Sequence, residues 1–162
     1  MLRSILMGLV AGQRAMTPLS ALAGAARRGT LPHDNPEARL MAHPLFATGG
    51  VVLAAAEMAG DKMKTAPDRT VFLGLLARTI TSGFAGATLA PPRRQLAGAA
   101  LGIGAAIASS YAGLAARKWA MQRWGQTSTG FAEEAIVLSA ANLIANARPA
   151  EDHIGGRPAG RR

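Results

Sequence analysis

The chain has 162 residues, a net charge of +9, 49% hydrophobic residues and 19 glycines, but only 4 Phe, 2 Trp and 1 Tyr. This length fits one domain, the hydrophobic content excludes a disordered chain, and the absence of cysteine excludes a disulfide-stapled fold. Two classes remain: a basic soluble helical protein, or a small polytopic membrane protein whose helices pack through small residues.

Five apolar stretches follow one another along the chain, at about residues 4–26, 44–60, 70–90, 96–116 and 131–147. A helix needs roughly 20 mostly apolar residues to cross about 30 Å of hydrocarbon, and the fourth stretch contains no charged residue. A soluble helix of that length would carry a polar face. The pattern predicts an all-α, polytopic membrane bundle of four to five transmembrane segments, with residues 1–147 forming a single transmembrane domain.

The first stretch is interrupted by Arg14, Thr17 and Pro18. Proline removes a backbone hydrogen bond and frees the carbonyl four residues earlier, so we expect either a kinked crossing or a re-entrant hairpin. The distribution of Lys and Arg over the connections slightly favours the re-entrant form, and it places the C-terminal end in the cytoplasm in both cases. Residues 148–162, rich in Gly, Pro and Arg, predict a disordered basic tail.

The connections hold the prolines and most of the charges. Trp119 and Trp124 alternate with Arg117, Lys118 and Arg123, a pattern typical of the belt where aromatic rings meet lipid headgroups. An amphipathic surface segment would show the same pattern. A bilayer with anionic headgroups accounts for the basic connections, and their scattered Lys and Arg residues do not form the single basic surface that nucleic-acid binding needs.

Small residues recur at a spacing of four inside the stretches. Helices in lipid associate through close backbone contact, which small residues permit. The sequence therefore predicts tight packing between helices, and a homo-oligomer formed through one exposed stripe fits the same pattern. The sets are Gly8/Gly12, Ser82/Gly86, Gly98/Gly102/Ala106 and Ser109/Gly113.

Ionisable residues lie inside four of the five stretches. A charge at the centre of a membrane helix costs about 2.5–3.5 kcal/mol even on the lenient insertion scale. We therefore expect these groups to face the interior and to neutralise one another. Arg14 and Arg78 are expected to pair among the acids Glu57, Asp61, Glu133 and Glu134.

Glu57 and Asp61 are four residues apart and share one helix face. They lead into residues 60–70, where Lys62, Asp68 and Arg69 follow. Two interpretations remain open: a connector fixed by local ion pairs, or a polar mouth that leads to the interior charges. Residue types and spacing do not separate them.

Three segments, 8–23, 55–70 and 77–90, resemble the bacterial membrane-protein family catalogued as domain of unknown function 4126. Its motifs match at Arg14, Met16, Thr17 and Pro18, then at Glu57, Gly60, Asp61, Lys62, Pro67, Arg69 and Thr70, and finally at Arg78. Lys64 departs from the family pattern, which often has proline there. The resemblance covers most of the chain up to about residue 147. It implies an integral inner-membrane protein and brings no established activity.

Catalytic motifs are missing from the sequence. There is no cysteine nucleophile, P-loop or Gly-x-Ser-x-Gly elbow, and the three histidines lack the spacing of a helical metal pair. We therefore expect no catalytic residue, no metal site and no cofactor. A membrane enzyme that acts on lipid phosphates through Glu57 and Asp61 remains the weakest of three hypotheses.

The first hypothesis is a transporter or channel of the bacterial inner membrane. It would pass a small ion, or an anionic or lipid-linked solute, through an interior charged site. A non-transporting scaffold or assembly protein, whose buried charges only fix the register of the helices, is the alternative. The predicted ligand or ion pathway comprises Arg14, Thr17, Glu57, Asp61, Lys62, Asp68, Arg69, Arg78, Glu133 and Glu134.

Overall fold

A computed structural model describes residues 1–31, 36–60 and 72–147, with the backbone alone for residues 58–60. These residues form seven α-helices and no strand, so the predicted all-α class is confirmed. The predicted tail, residues 148–162, lies outside the described residues. The helices are α1 Leu2–Gln13, α2 Thr17–Arg27, α3 Pro36–Ala42, α4 Pro44–Gly60, α5 Phe72–Thr88, α6 Gln95–Trp124 and α7 Gln126–Asn146.

The predicted stretches correspond to helices, but α6 and α7 are longer than expected. Residues 117–124, predicted as part of a connection, continue α6 because they contain neither glycine nor proline. Helix α6 ends at Gly125, whose φ of 80° suits a residue without a side chain. Helix α7 begins at the next residue, so one glycine joins two long helices.

The first stretch is a broken helix. Helix α1 ends at Gln13, and Arg14 is extended with φ −142° and ψ 118°. Helix α2 begins at Thr17, with Pro18 in its first turn. The expected interruption is confirmed, but its cause differs: Pro18 sits where its missing N–H costs nothing and starts a helix instead of bending one.

Helix α6 packs against α1 and α5 through small residues. Gly86 and Gly98 lie so close that a Cβ on either would overlap the carbonyl oxygen of the other. Gly8 of α1 faces the backbone of Gly102 in the same way, and Gly12 faces the Ser109 hydroxyl and the backbone of Ala106. The predicted small-residue packing is therefore confirmed as contact within one chain.

Large apolar side chains lie mostly on the outside of the helices. The buried core is largely alanine, and Met7, Leu22 and Met41 are the largest apolar side chains that are fully buried. A soluble protein places its large apolar residues inside. Here the exposed ones include Leu45, Val52, Phe72, Leu73, Ile80, Leu96, Ile136 and Leu143.

Only α6, among the described helices, is by itself long and apolar enough to cross a membrane. Helices α3 and α4 pass the same test as a pair, although they meet at a bend of 74°. Only 17% of the most apolar 18-residue window of α6 is buried, so most of this helix's apolar surface lies outside the core.

Candidate functional site

Glu57 of α4 binds the backbone where the first helix is broken. Its Oε1 accepts a hydrogen bond from the N–H of Ala15 at 2.7 Å, and its Oε2 accepts one from the N–H of Met16 at 2.9 Å. These amides precede α2, where a helix leaves donors unsatisfied and carries a partial positive charge. The Glu57 carboxylate therefore satisfies two backbone hydrogen-bond donors at the start of α2.

Arg78 of α5 binds the other side of the break. Its Nε donates a hydrogen bond to the carbonyl oxygen of Gly12 at 3.1 Å. The Ser110 hydroxyl shares its one hydrogen between the same oxygen at 3.2 Å and the carbonyl oxygen of Ala106 at 2.8 Å. The last carbonyls of a helix carry a partial negative charge, which a cation stabilises. Each broken end thus meets a group of opposite charge from another helix.

Arg14 lies in the break itself and pairs with Glu134 of α7. Its Nη2 is 3.1 Å from Glu134 Oε1, and the two side chains are 1% and 9% exposed. Arg14 is the largest of the fully buried side chains. The expected pairing of Arg14 with an interior acid is confirmed.

Thr17, the first residue of α2, is buried with an unsatisfied hydroxyl. It is 1% exposed, and within the described part of the chain its Oγ1 makes no hydrogen bond. Burying such a group costs about 1–3 kcal/mol. Thr81 and Thr88 show the usual arrangement, because their hydroxyls donate to the carbonyl oxygens of Ala77 and Phe84. The Thr17 hydroxyl is therefore a polar group whose burial the fold does not explain.

The structure brings together five of the predicted site residues and separates one. Four helices and the break supply Arg14, Thr17, Glu57, Arg78 and Glu134. Glu133 points elsewhere and pairs with Arg117, whose Nη1 is 3.4 Å from its Oε2. The predicted residues Asp61, Lys62, Asp68 and Arg69, and with them the proposed mouth at 60–70, lie outside the described residues.

Glu57 binds the protein backbone. The sequence predicts that Arg14 and Arg78 pair among four acids that include Glu57, and the structure shows both carboxylate oxygens of Glu57 accepting hydrogen bonds from backbone amides. The physical reason is that a break in a helix leaves free N–H donors, and an ionised carboxylate forms strong, charge-assisted hydrogen bonds with such donors.

Two polar residues of the site were missed from the sequence. Ser110 donates to Gly12, and Gln13 Nε2 donates to the carbonyl oxygen of Ser109 at 2.8 Å. A signal for Ser110 existed, since Ser109, Ser110 and Tyr111 are the only polar residues in the stretch 96–116. Polar residues within an apolar stretch are candidates for contacts between helices.

The four charged side chains around the break are two arginines and two glutamates. They neutralise one another formally, which suits a site of low polarity. Arginine stays charged under all ordinary conditions, whereas a glutamate can take up a proton. Within the described ranges, no group of three His, Cys, Asp or Glu side chains could hold a metal ion.

Comparisons with known proteins identify no relative of this chain. Neither the family models nor the curated proteins and solved structures give a match to the chain.

Proposed function

We propose that this chain is a small integral protein of the bacterial inner membrane that transports a small ion, or an anionic or lipid-linked solute, through the broken first helix. Four to five transmembrane segments would carry the site, with the tail in the cytoplasm. The resemblance to domain of unknown function 4126 fits this proposal and stays a prediction.

The outer surface supports residence in a membrane. Large apolar side chains of α4, α5, α6 and α7 are exposed, while the described core consists largely of alanine. Helices α4 and α5 have 17 residues each, or about 26 Å, and α7 has 21. These lengths approach the hydrocarbon thickness of about 30 Å.

The buried, unbonded hydroxyl of Thr17 carries the proposal of a pathway. Membrane transporters bind their substrates at discontinuous helices, where the half-helix ends supply partial charges. Thr17 lies at such an end, three residues after Arg14. A solute oxygen or anion bound there would accept the Thr17 hydrogen bond that no described protein group accepts.

A proton would allow the paired arginine to bind an anion. Protonation of Glu134 removes its charge and weakens its hold on Arg14, which stays positive. Arg14 would then bind the anion, and the anion and the proton would move together. Intramembrane carboxylates commonly serve as such proton carriers.

A scaffold without transport is the second candidate, and one observation favours it. Arg14, Glu57 and Arg78 all bind protein groups, and two of these bonds hold helix ends in place. Under this alternative the charges only fix the arrangement of the helices. The two candidates make different predictions for Thr17. Transport uses its hydroxyl to bind the solute, whereas a purely structural role does not use this hydroxyl.

Thr17→Val is expected to separate folding from transport. Valine has nearly the shape of threonine, so stability should stay unchanged or rise by about 1 kcal/mol as the unbonded hydroxyl is lost. Solute flux should fall about tenfold, the effect of one lost hydrogen bond of about 1.4 kcal/mol. The measurement is proton uptake into proteoliposomes that enclose a pH-sensitive dye, driven by gradients of chloride and of inorganic phosphate.

Thr88→Val is the matched control. The Thr88 hydroxyl donates to Phe84 O at 2.9 Å, so its loss should lower stability by about 1 kcal/mol and leave flux unchanged. Equal flux from the wild-type protein and Thr17→Val would contradict transport through this site. Empty liposomes give the background leak.

A further inference from the structure

A cavity of about 630 Å³ lies between the end of α6 and the start of α7. Ala116, Ala120, Ile136 and Val137 form much of its apolar wall, and Trp124 lines it as well. Binding sites for small molecules have volumes of about 300–1,000 Å³ and mostly apolar walls. The cavity is therefore of the right size and polarity for a flexible apolar chain.

Basic residues lie at the end of α6 that borders this cavity. Arg117 lines it, and Lys118 and Arg123 follow in the same part of α6. From residue 95 to residue 130 the sequence contains no Asp or Glu. Glu133, paired with Arg117 at 3.4 Å, is an acid in the wall of the cavity. The guanidinium of Arg117 is thus held at the wall of the cavity, where it can contact the phosphate of an anionic headgroup.

Aromatic rings mark the same end of α6. The Trp119 and Trp124 rings meet edge to face with centroids 5.5 Å apart, and the Arg123 guanidinium lies 5.0 Å from the centre of the Trp119 ring. Both rings are more than half exposed. Exposed Trp beside Lys and Arg is typical of the headgroup level of a membrane.

We propose that this cavity binds an anionic phospholipid, with an acyl chain against the apolar wall and the phosphate against Arg117. The apolar wall favours the acyl chain of the lipid, and the positive charge of Arg117 favours an anionic headgroup. Glu133 holds the Arg117 side chain at the wall. This inference rests on the membrane residence proposed above and is independent of transport.

The two tryptophans make the site measurable in the full chain. Trp119→Phe leaves Trp124 as the single tryptophan, and Trp124 lines the cavity. The probes are phosphatidylglycerol and phosphatidylcholine with the same brominated acyl chain, which quenches a nearby indole, each titrated into the detergent-solubilised protein. We expect saturable quenching by both lipids. The concentration that gives half of the maximal quenching should be about fivefold to tenfold lower for phosphatidylglycerol than for phosphatidylcholine, because one basic side chain contributes about 1 kcal/mol.

Two variants test the assignment in the Trp119→Phe background. Arg117→Gln should lower the affinity for phosphatidylglycerol to about the affinity for phosphatidylcholine. Lys118→Gln, at the adjacent position outside the cavity wall, should keep most of the preference for phosphatidylglycerol. Ala120→Phe should fill the cavity and remove saturable quenching by both lipids. Equal quenching by the two lipids, or no effect of Arg117→Gln and Ala120→Phe, would overturn the proposal.

The results also separate this site from the proposed function. Saturable, selective quenching together with no flux from the wild-type protein would support the lipid site and reject transport. Flux that depends on Thr17, together with equal quenching by the two lipids, would support transport and reject the lipid site. If the chain does not co-sediment with membranes after alkaline washing, the premise shared by both proposals is wrong.

Discussion

Replacing Glu134 by alanine is expected to lower the free energy of unfolding by about 3–5 kcal/mol, because it removes the carboxylate from an arginine that stays charged and buried. Arg14 is 1% exposed, and its Nη2 lies 3.1 Å from Glu134 Oε1. The measurement is equilibrium unfolding of the purified protein in mixed micelles with increasing denaturing detergent. No other single change at the break is expected to cost as much.

Two further variants make this result specific. The double variant Arg14→Met with Glu134→Leu should recover most of the loss, since apolar replacement of a whole buried pair is often neutral. Glu133→Ala should cost clearly less, because both side chains of the Arg117–Glu133 pair are 15% exposed and their distance is longer. A double variant as unstable as Glu134→Ala alone would show that the pair is not the source of the effect.

Gly102→Ala is expected to lower the free energy of unfolding by about 1–3 kcal/mol. A Cβ at Gly102 would lie 2.6 Å from the carbonyl oxygen of Ser82 in α5. Carbonyl oxygens of a helix backbone cannot move aside as a flexible side chain can, so α5 and α6 must separate. The same denaturing titration measures this effect.

Gly104→Ala, two residues further along α6, provides the matched control. A Cβ there would meet no atom within 4 Å, so alanine should leave stability unchanged or raise it by about 1 kcal/mol through its better helix propensity. Equal losses for the two variants would contradict the packing of α6 described above and would indicate a general intolerance of this helix to alanine.

Much of the fold could be predicted from local features of the sequence. Long apolar stretches separated by proline and charge indicated the helices, and the pairs at a spacing of four indicated where backbones approach, as Gly86 and Gly98 show. The interior position of Arg14 and Arg78 followed from the cost of leaving a charge in an apolar surrounding. The burial of both side chains, 1% and 7% exposed, agrees with it.

The partners of the buried charges could not be predicted, because they depend on how helices distant in sequence are rotated. Glu133 and Glu134 are adjacent in sequence, yet only the rotation of α7 decides that Glu134 meets Arg14. Glu57 binds amides that exist only because the chain breaks at residue 14. A sequence shows that a charge needs a partner, while packing decides which partner it receives.

Accessibility of introduced cysteines tests membrane residence, the central claim, most directly. The natural chain has no cysteine, so Ile80→Cys, Ile107→Cys and Gln126→Cys each carry a single thiol. The residues at the first two positions are 62% and 41% exposed in the isolated chain, and Gln126 is exposed at the junction of α6 and α7. In native membranes a water-soluble maleimide is expected to label Gln126→Cys and to label the other two only after denaturation in detergent. Labelling of Ile80→Cys and Ile107→Cys at the rate of Gln126→Cys would show that these faces contact water and would contradict the account.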